Sequence, residues 1–129
     1  MKKVLSPVWR LGALSLVPLA FASGRVEAAD VRHGTDVFAQ ECAECHSVRE
    51  GKNKKGPSLF AVAGRKAAIV ADVAYSDAMK ASGIVWTPAA LDAYIANPRK
   101  AVPGGKMKYD GLADAKDRED LLAYLGSLK

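Results

Sequence analysis

The chain has 129 residues, 50% of them hydrophobic, with 2 cysteines and a formal net charge of +5. This length fits one domain and excludes a large multidomain enzyme, and the hydrophobic fraction excludes a fully disordered chain. Two cysteines are too few for a secreted scaffold held together by several disulfides.

The N-terminal residues have the pattern of a secretory signal peptide. Basic residues near the start are followed by an apolar run, residues 11–22, which is too short to span a bilayer and is interrupted by Pro18. Small-residue cleavage patterns end at Ala22 and at Ala28. An uncleaved membrane anchor is the alternative, but the length and position of the apolar run favour a signal peptide. We therefore predict a cleaved signal peptide over residues 1–28, one domain over residues 29–129, and a periplasmic location.

Removal of this segment changes the charge balance. The remaining residues include 15 basic and 13 acidic side chains, so their net charge is +2. A general nucleic-acid binder is expected to keep a strong positive excess, and we predict no nucleic-acid partner. A core built from about a hundred residues is only marginally stable, and a tightly bound cofactor would increase that stability.

Helix signals dominate the remaining chain, and no convincing strand is found; Val62 and residues 67–74 are the only candidates for extended segments. The predicted helices run from Asp30 to about Ala43, from Ser76 to Gly83, from Thr87 to Pro98 and from Asp114 to Lys129. Thr87 followed by Pro88 is the clearest start signal, a cap and then proline at the first helical position. We predict a small all-α domain whose long, glycine-rich connections pack against a buried flat cofactor.

The segment Cys42-Ala43-Glu44-Cys45-His46 carries the chemistry. On a helix, positions 42, 45 and 46 share one face. Two thiols in this arrangement can add to the two vinyl groups of one haem, and the histidine that follows can bind its iron. The motif therefore predicts covalent attachment of one haem c through Cys42 and Cys45, with His46 as an iron ligand.

Other uses of these cysteines fit less well. A thioredoxin-like dithiol requires a preceding strand, whereas the upstream segment has a helical pattern. A zinc site requires four ligands, and the only other histidine, His33, lacks the spacing of a zinc finger. A disulfide between Cys42 and Cys45 would close a very short loop and add little stability.

The second axial ligand must come from elsewhere in the chain, and His33, Met79, Met107 and several lysines are candidates. Met107 follows a Pro-Gly-Gly stretch, which keeps the backbone out of a helix and suits a loop that lays a thioether over a haem face. Met79 lies in a predicted helix and is better interpreted as a core residue. His33, near the start of the domain, is expected to be merely exposed.

Together these residues resemble class I cytochrome c, the group that includes mitochondrial cytochrome c and bacterial cytochrome c2. The matching segments, in order, are Gly34 with Phe38, Cys42–His46, Gly56-Pro57, Gly64–Lys66, Tyr75–Asp77, Gly83–Trp86, Tyr94–Pro98, Pro103–Met107 and Arg118–Leu125. The resemblance implies the small all-α class I cytochrome c fold, with crossed N- and C-terminal helices, and with shorter helices and loops around one haem. Gly34 and Phe38 would cross Leu121 and Tyr124.

The resemblance also implies roles for individual residues on the two sides of the haem. His46 and Met107 would be the axial ligands. Pro57 would accept the imidazole N–H through its carbonyl, and Tyr94 would lie near the Met107 sulfur.

A second implied set lies near a haem propionate. Tyr75 and Trp86 would hydrogen-bond the propionate, and Arg65 would offset its charge. Without the resemblance, the aromatic residues Tyr75, Trp86 and Tyr94 would be interpreted as core residues and Arg65 as a surface charge.

Two positions depart from the pattern common in the family. Many members have Asn at the position of Met79, so the pocket here is expected to be less polar. Many have Thr at the position of Gly105. Because glycine lacks the threonine hydroxyl, a contact to the inner propionate is expected to be absent and the loop to be looser.

Two filled axial positions leave no site for substrate, so the resemblance implies an electron carrier and not an enzyme. Two basic sets flank the candidate ligands: Arg49, Lys52, Lys54, Lys55, Arg65 and Lys66 in one, and Arg99, Lys100, Lys106 and Lys108 in the other. They predict a monomer that meets acidic redox partners, such as a membrane oxidase, a reductase, a photosynthetic-type complex or a periplasmic dehydrogenase. The alternatives are a catalytic or gas-binding haem protein with an open or labile sixth site, and a dedicated electron-acceptor subunit of one dehydrogenase.

Overall fold

The computed structural model describes residues 27–129, so the predicted signal peptide lies almost entirely outside the described residues. Within this range the helices, numbered in chain order, are α1 (Val31–Glu41), α2 (Asp77–Ala81), α3 (Pro88–Ala96), α4 (Pro98–Ala101) and α5 (Ala115–Ser127). No strand forms in this range, and one isolated bridge joins Lys66 to Val85. The all-α prediction is confirmed for the described range, where none of the helices is long and apolar enough to cross a membrane.

Each helix begins after a polar residue whose side chain accepts a backbone N–H from the first turn. Ser76 caps α2 and Thr87 caps α3, as the sequence predicts. The helix α4 is absent from the sequence prediction because Pro98 was expected only to limit the helix before it. Asn97 caps α4 and Pro98 is its first residue, so the signal that begins α3 is used a second time.

The first and last helices, α1 and α5, cross at Gly34, as the resemblance implies. A Cβ atom at Gly34 would lie 2.0 Å from the carbonyl oxygen of Asp120, so any side chain here would push the helices apart. Beside this contact, the ring centroids of Phe38 and Tyr124 are 5.7 Å apart. Leu121 is fully buried at the same crossing. The crossing fixes the end of α1, from which the chain enters the cysteine segment.

A buried carboxylate joins the same two helices. The Asp120 side chain is 2% exposed, and its Oδ1 accepts hydrogen bonds from the Asp30 N–H and from Lys116 Nζ, both at 2.7 Å. His33 Nδ1 lies 2.9 Å from Oδ2. The hydrogen bond from Lys116 is the main reason that the pKa of Asp120 is lowered to about 2. His33 is exposed as predicted, but its contact with Asp120 is not evident from the sequence.

The segment after α4 returns to the core beside α3. The Leu112 N–H donates to the Ile95 carbonyl at 2.9 Å, and a Cβ atom at Gly111 would lie 2.1 Å from the Ala96 carbonyl oxygen. Arg118 Nε donates to Asp92 at 2.7 Å and so ties α5 to α3. These contacts fix the far end of the loop that contains Met107.

Candidate haem site

The cysteine segment continues the helical turn at the end of α1. The Cys45 N–H and the His46 N–H both donate to the Cys42 carbonyl, at 3.1 Å and 2.9 Å. Both cysteines are half-buried, and neither is in a disulfide. Burial raises the pKa of the Cys42 thiol to about 11, so the thiol is protonated at neutral pH. The turn presents two unlinked sulfurs and one imidazole from neighbouring positions.

The His46 imidazole is held from two directions. Its Nδ1 lies 2.7 Å from the Pro57 carbonyl oxygen. A carbonyl can only accept, so Nδ1 carries the proton and the lone pair of the neutral ring is on Nε2. Burial lowers the pKa of His46, which favours this neutral form.

Gly56 fixes the plane of the same imidazole. A Cβ atom at Gly56 would lie 2.5 Å from His46 Cε1, and the Gly56 N–H donates to the Cys45 carbonyl at 2.8 Å. In the sequence Gly56 stands out only as the partner of Pro57 in the matching pair, with no role of its own. Gly56 is required because the backbone passes directly against the ring.

Met107 lies on a mostly exposed, glycine-rich segment, residues 102–111, which we call the Met107 loop; Val102, at its start, is buried. Gly104 has a φ of +84°, a conformation that favours glycine. The Met107 sulfur is 3.8 Å from the Tyr94 hydroxyl. A cleft of about 610 Å³ runs along the loop and is lined by Arg99 and residues 103–108. The loop therefore presents a thioether with one polar neighbour.

The residues expected near a propionate occupy a third part of the site. Trp86 is 8% exposed, and its ring centroid lies 5.0 Å from that of Tyr94. Burial raises the pKa of Tyr75, and the nearby Arg65 guanidinium partly opposes this shift. Arg65 donates to the Phe60 carbonyl at 2.8 Å and to the Ser58 carbonyl at 2.9 Å. It therefore organises the 58–60 loop, a use that the sequence does not reveal.

The two departures from the family pattern differ in their surroundings. Met79 is 9% exposed and belongs to the buried core, which confirms its interpretation as a core residue. The Ser82 hydroxyl lies 4.0 Å from the Met79 sulfur. Gly105 lies on the surface, where a Cβ atom would be 3.1 Å from the Val102 carbonyl oxygen. Met79 therefore contributes an apolar side chain to the interior, and Gly105 leaves the exposed loop without a side chain at this position.

One contact of the Met107 loop is not predicted by the sequence. The Tyr109 hydroxyl donates to Glu41 at 2.7 Å, although the two residues are 68 positions apart. Burial, followed by the Glu41 carboxylate, raises the pKa of Tyr109. No local pattern in the sequence could have indicated this pair.

The basic sets near the site are only partly neutralised. Lys55 pairs with Glu44, and Arg99 lies 3.0 Å from Asp110. Within residues 27–129, the remaining lysines and arginines of the two sets form no ion pair with a carboxylate. Those residues are Arg49, Lys52, Lys54, Arg65, Lys66, Lys100, Lys106 and Lys108.

The donor set fits haem c. The two thiols share one turn, and His46 is bonded through Nδ1 to a carbonyl, which leaves Nε2 to bind iron. Such a hydrogen bond from the second ring nitrogen is the usual support for a metal-binding histidine. The chemistry of these side chains therefore agrees with the sequence motif.

Comparisons with known proteins agree with the all-α fold and with the attachment motif in the sequence. A family model described as cytochrome c matches residues 31–129. A cytochrome c of Gibberella zeae is 46% identical over 97 residues, which cover 74% of this chain and 92% of the relative. A cytochrome c2 of Rhodopila globiformis is 45% identical over 106 residues, which cover 82% of this chain and 100% of the relative. Among solved structures, cytochrome cH from Methylobacterium extorquens is similar with a TM-score of 0.70 and 42% identity, over 75% of this chain and 97% of the other.

Proposed function

Because the chain belongs to the cytochrome c family, whose members carry covalent haem c, we propose that it is a one-electron carrier with His46 and Met107 as axial ligands. When bound, haem c supplies an Fe(III)/Fe(II) couple whose reduction potential is raised by His/Met ligation. The protein's part is to hold the two ligands and to exclude other molecules from the iron.

The hydrogen bond between His46 Nδ1 and the Pro57 carbonyl is the observation that carries this proposal. It fixes the tautomer and the orientation of the ring, so that Nε2 points away from the loop that holds it. The packing of Gly56 against the ring resists rotation. A ligand held in this way changes little between oxidation states, as rapid electron transfer requires.

The Met107 sulfur supports the second half of the proposal. It is half-buried in a loop that carries no other sulfur, and the Tyr94 hydroxyl lies on its polar side. Met79, the other methionine in the described range, is packed in the core next to Ser82. Met107 is therefore the methionine that is free to serve as a ligand.

Carbon monoxide binding tests the filled sixth position. The reduced, haem-loaded protein at neutral pH is expected to bind carbon monoxide slowly and weakly. A Met107→Ala variant is expected to bind it rapidly, because the variant lacks the thioether. Rapid, tight binding by the unaltered protein would contradict the carrier and support a gas-binding or catalytic protein.

The unpaired basic side chains support acidic redox partners. Raising the salt concentration is expected to slow electron transfer to an acidic partner, because surface charges are screened over about 8 Å at 0.15 M salt. Lys108→Gln should slow the reaction at low salt, whereas Lys129→Gln, at the C-terminus, should not. Equal rates at all salt concentrations would rule out electrostatic steering.

Export to the periplasm, as a monomer, completes the proposal. N-terminal sequencing of the exported protein should begin after Ala22 or Ala28. An intact N-terminus in a membrane fraction would instead indicate an anchor. Sedimentation of the haem-loaded protein tests the monomer, and co-purification with one dehydrogenase would indicate a dedicated subunit.

A further inference from the structure

We infer that Tyr109 and Glu41 are positioning residues: their hydrogen bond holds the Met107 loop against the end of α1 and keeps Met107 in place. The inference rests on the proposed ligation by Met107. It assigns a role to two side chains that neither the attachment motif nor the ligand pair requires.

The contact joins the two halves of the site. Tyr109 follows Met107 by two positions, and Glu41 is the last residue of α1, directly before Cys42. The Tyr109 hydroxyl donates to Glu41 Oε2 at 2.7 Å. The loop on one side is thereby bonded to the helix end that carries the attachment site on the other.

The other contacts close to Met107 are weaker or more flexible. The ion pair between Arg99 and Asp110, at 3.0 Å, joins two largely exposed side chains, and such pairs contribute little. The Tyr94 hydroxyl lies 3.8 Å from a thioether sulfur, which is a poor acceptor. Lys106 Nζ donates to the Ala74 carbonyl at 2.9 Å, but through a long, exposed side chain. A hydrogen bond to an ionised carboxylate is about twice as strong as one between neutral groups. The tyrosine ring also loses little conformational freedom when it is fixed.

The loop itself offers little resistance to opening. Residues 103–106 are exposed, and two of them are glycines. Displacement of Met107 would carry Tyr109, only two residues away, from its position beside α1. The Glu41 contact must break in this movement, so its strength adds directly to the cost of opening.

Competition by imidazole at pH 7 measures this cost in the ferric, haem-loaded protein. Loss of the sulfur-to-iron charge-transfer band reports displacement of Met107. Tyr109→Phe keeps the ring and removes the hydroxyl, and it is expected to raise the imidazole affinity about tenfold. Glu41→Gln keeps an acceptor but removes its charge, so a smaller increase is expected. The double variant should match Tyr109→Phe alone, because the contact is already lost in the single variant.

Two matched variants control for other effects. Tyr124→Phe removes a hydroxyl at the helix crossing, away from the Met107 loop, and Glu50→Gln removes an exposed carboxylate. Both should change the imidazole affinity less than twofold. A general loss of stability would give additive effects on the imidazole affinity in the double variant. Equal affinities of the double variant and of Tyr109→Phe therefore separate positioning from a purely structural role.

An unchanged affinity in Tyr109→Phe would overturn the inference, and so would additive effects of the two substitutions. Both results leave the ligand assignment intact as long as the unaltered protein shows the charge-transfer band. Absence of that band in the unaltered protein would instead overturn the proposed ligation, and the inference with it.

Discussion

The His46 side and the Met107 side of the site are built differently. The His46 side is a continuous piece of folded backbone: the turn follows directly from α1, and Pro57 and Gly56 contact the imidazole from the returning chain. The Met107 side is an exposed loop with glycines at 104 and 105; between its two ends it is held mainly through side-chain contacts. One ligand is fixed by packing and the other by a few bonds.

This difference indicates how each side responds to change. On the His46 side the backbone is in van der Waals contact with the imidazole ring, so even one added carbon must displace neighbouring atoms. Where a loop is held by separate hydrogen bonds, loss of one bond shifts an equilibrium without unfolding the protein. Alterations on the His46 side should therefore cost stability, and alterations on the Met107 side should change ligand lability and reduction potential.

Replacing one glycine on each side gives the largest expected contrast. Gly56→Ala places a Cβ atom 2.5 Å from His46 Cε1, and we expect the free energy of unfolding of the haem-loaded protein to fall by about 1–3 kcal/mol. At Gly105 the nearest atom to an added Cβ is the Val102 carbonyl oxygen, at 3.1 Å. A small adjustment relieves this contact, so Gly105→Ala should change stability by less than about 1 kcal/mol.

Guanidinium denaturation of the ferric protein measures both values. Gly126→Ala is the control, because the added Cβ atom would meet nothing within 4 Å on the surface of α5. It should stabilise the protein by about 0.5–1 kcal/mol, through helix propensity alone. Equal losses for the variants at 56 and 105 would contradict the contrast between a packed side and a compliant side.

A pH titration of stability probes the support of the His46 side, since α1 is anchored to α5 through Asp120. Folding lowers the pKa of Asp120 from 3.8 to about 2. The contacts of Asp120 therefore stabilise the folded protein fully above pH 3.8, and this stabilisation is lost as the pH falls towards 2. Asp120→Asn should therefore be less stable than the unaltered protein above pH 3.8, and the difference should narrow in acid. Urea midpoints measured from pH 2 to 9 test this, and Gly105→Ala should show no such narrowing.

His33 contributes in the opposite direction. The hydrogen bond to Asp120 raises the pKa of His33 above 6.5, so its contribution is fully present below pH 6.5 and is lost as the pH rises through the raised value. The side chain is about half exposed, so the effect of His33→Gln should be small. The free energies of unfolding of His33→Gln and of the unaltered protein should converge as the pH rises. A difference between them that instead grows in alkali would show that the contact with Asp120 does not stabilise the fold.

The sequence predicts the local features of this molecule better than its long-range contacts. Caps such as Ser76 and Thr87 are visible because a helix start depends on a few adjacent residues. The attachment motif is visible for the same reason. The burial of Asp120 is not visible, because an acid in the first turns of a helix is normally solvated there. The bond between Glu41 and Tyr109 joins positions 68 apart, and only the folded chain brings them together.

The smallest expected effect concerns Tyr94, whose hydroxyl is 3.8 Å from the Met107 sulfur. Burial raises the pKa of Tyr94, so the phenol is neutral at neutral pH and can donate. A donor withdraws electron density from the sulfur and so favours the ferrous state. Tyr94→Phe should therefore lower the reduction potential, by less than about 30 mV for so long a contact, since 59 mV corresponds to a tenfold change in a one-electron equilibrium. Potentiometric titration measures the shift, and Tyr124→Phe should leave the potential unchanged. A fall larger than about 59 mV would contradict so weak a contact, and a rise would contradict donation from the Tyr94 hydroxyl to the sulfur.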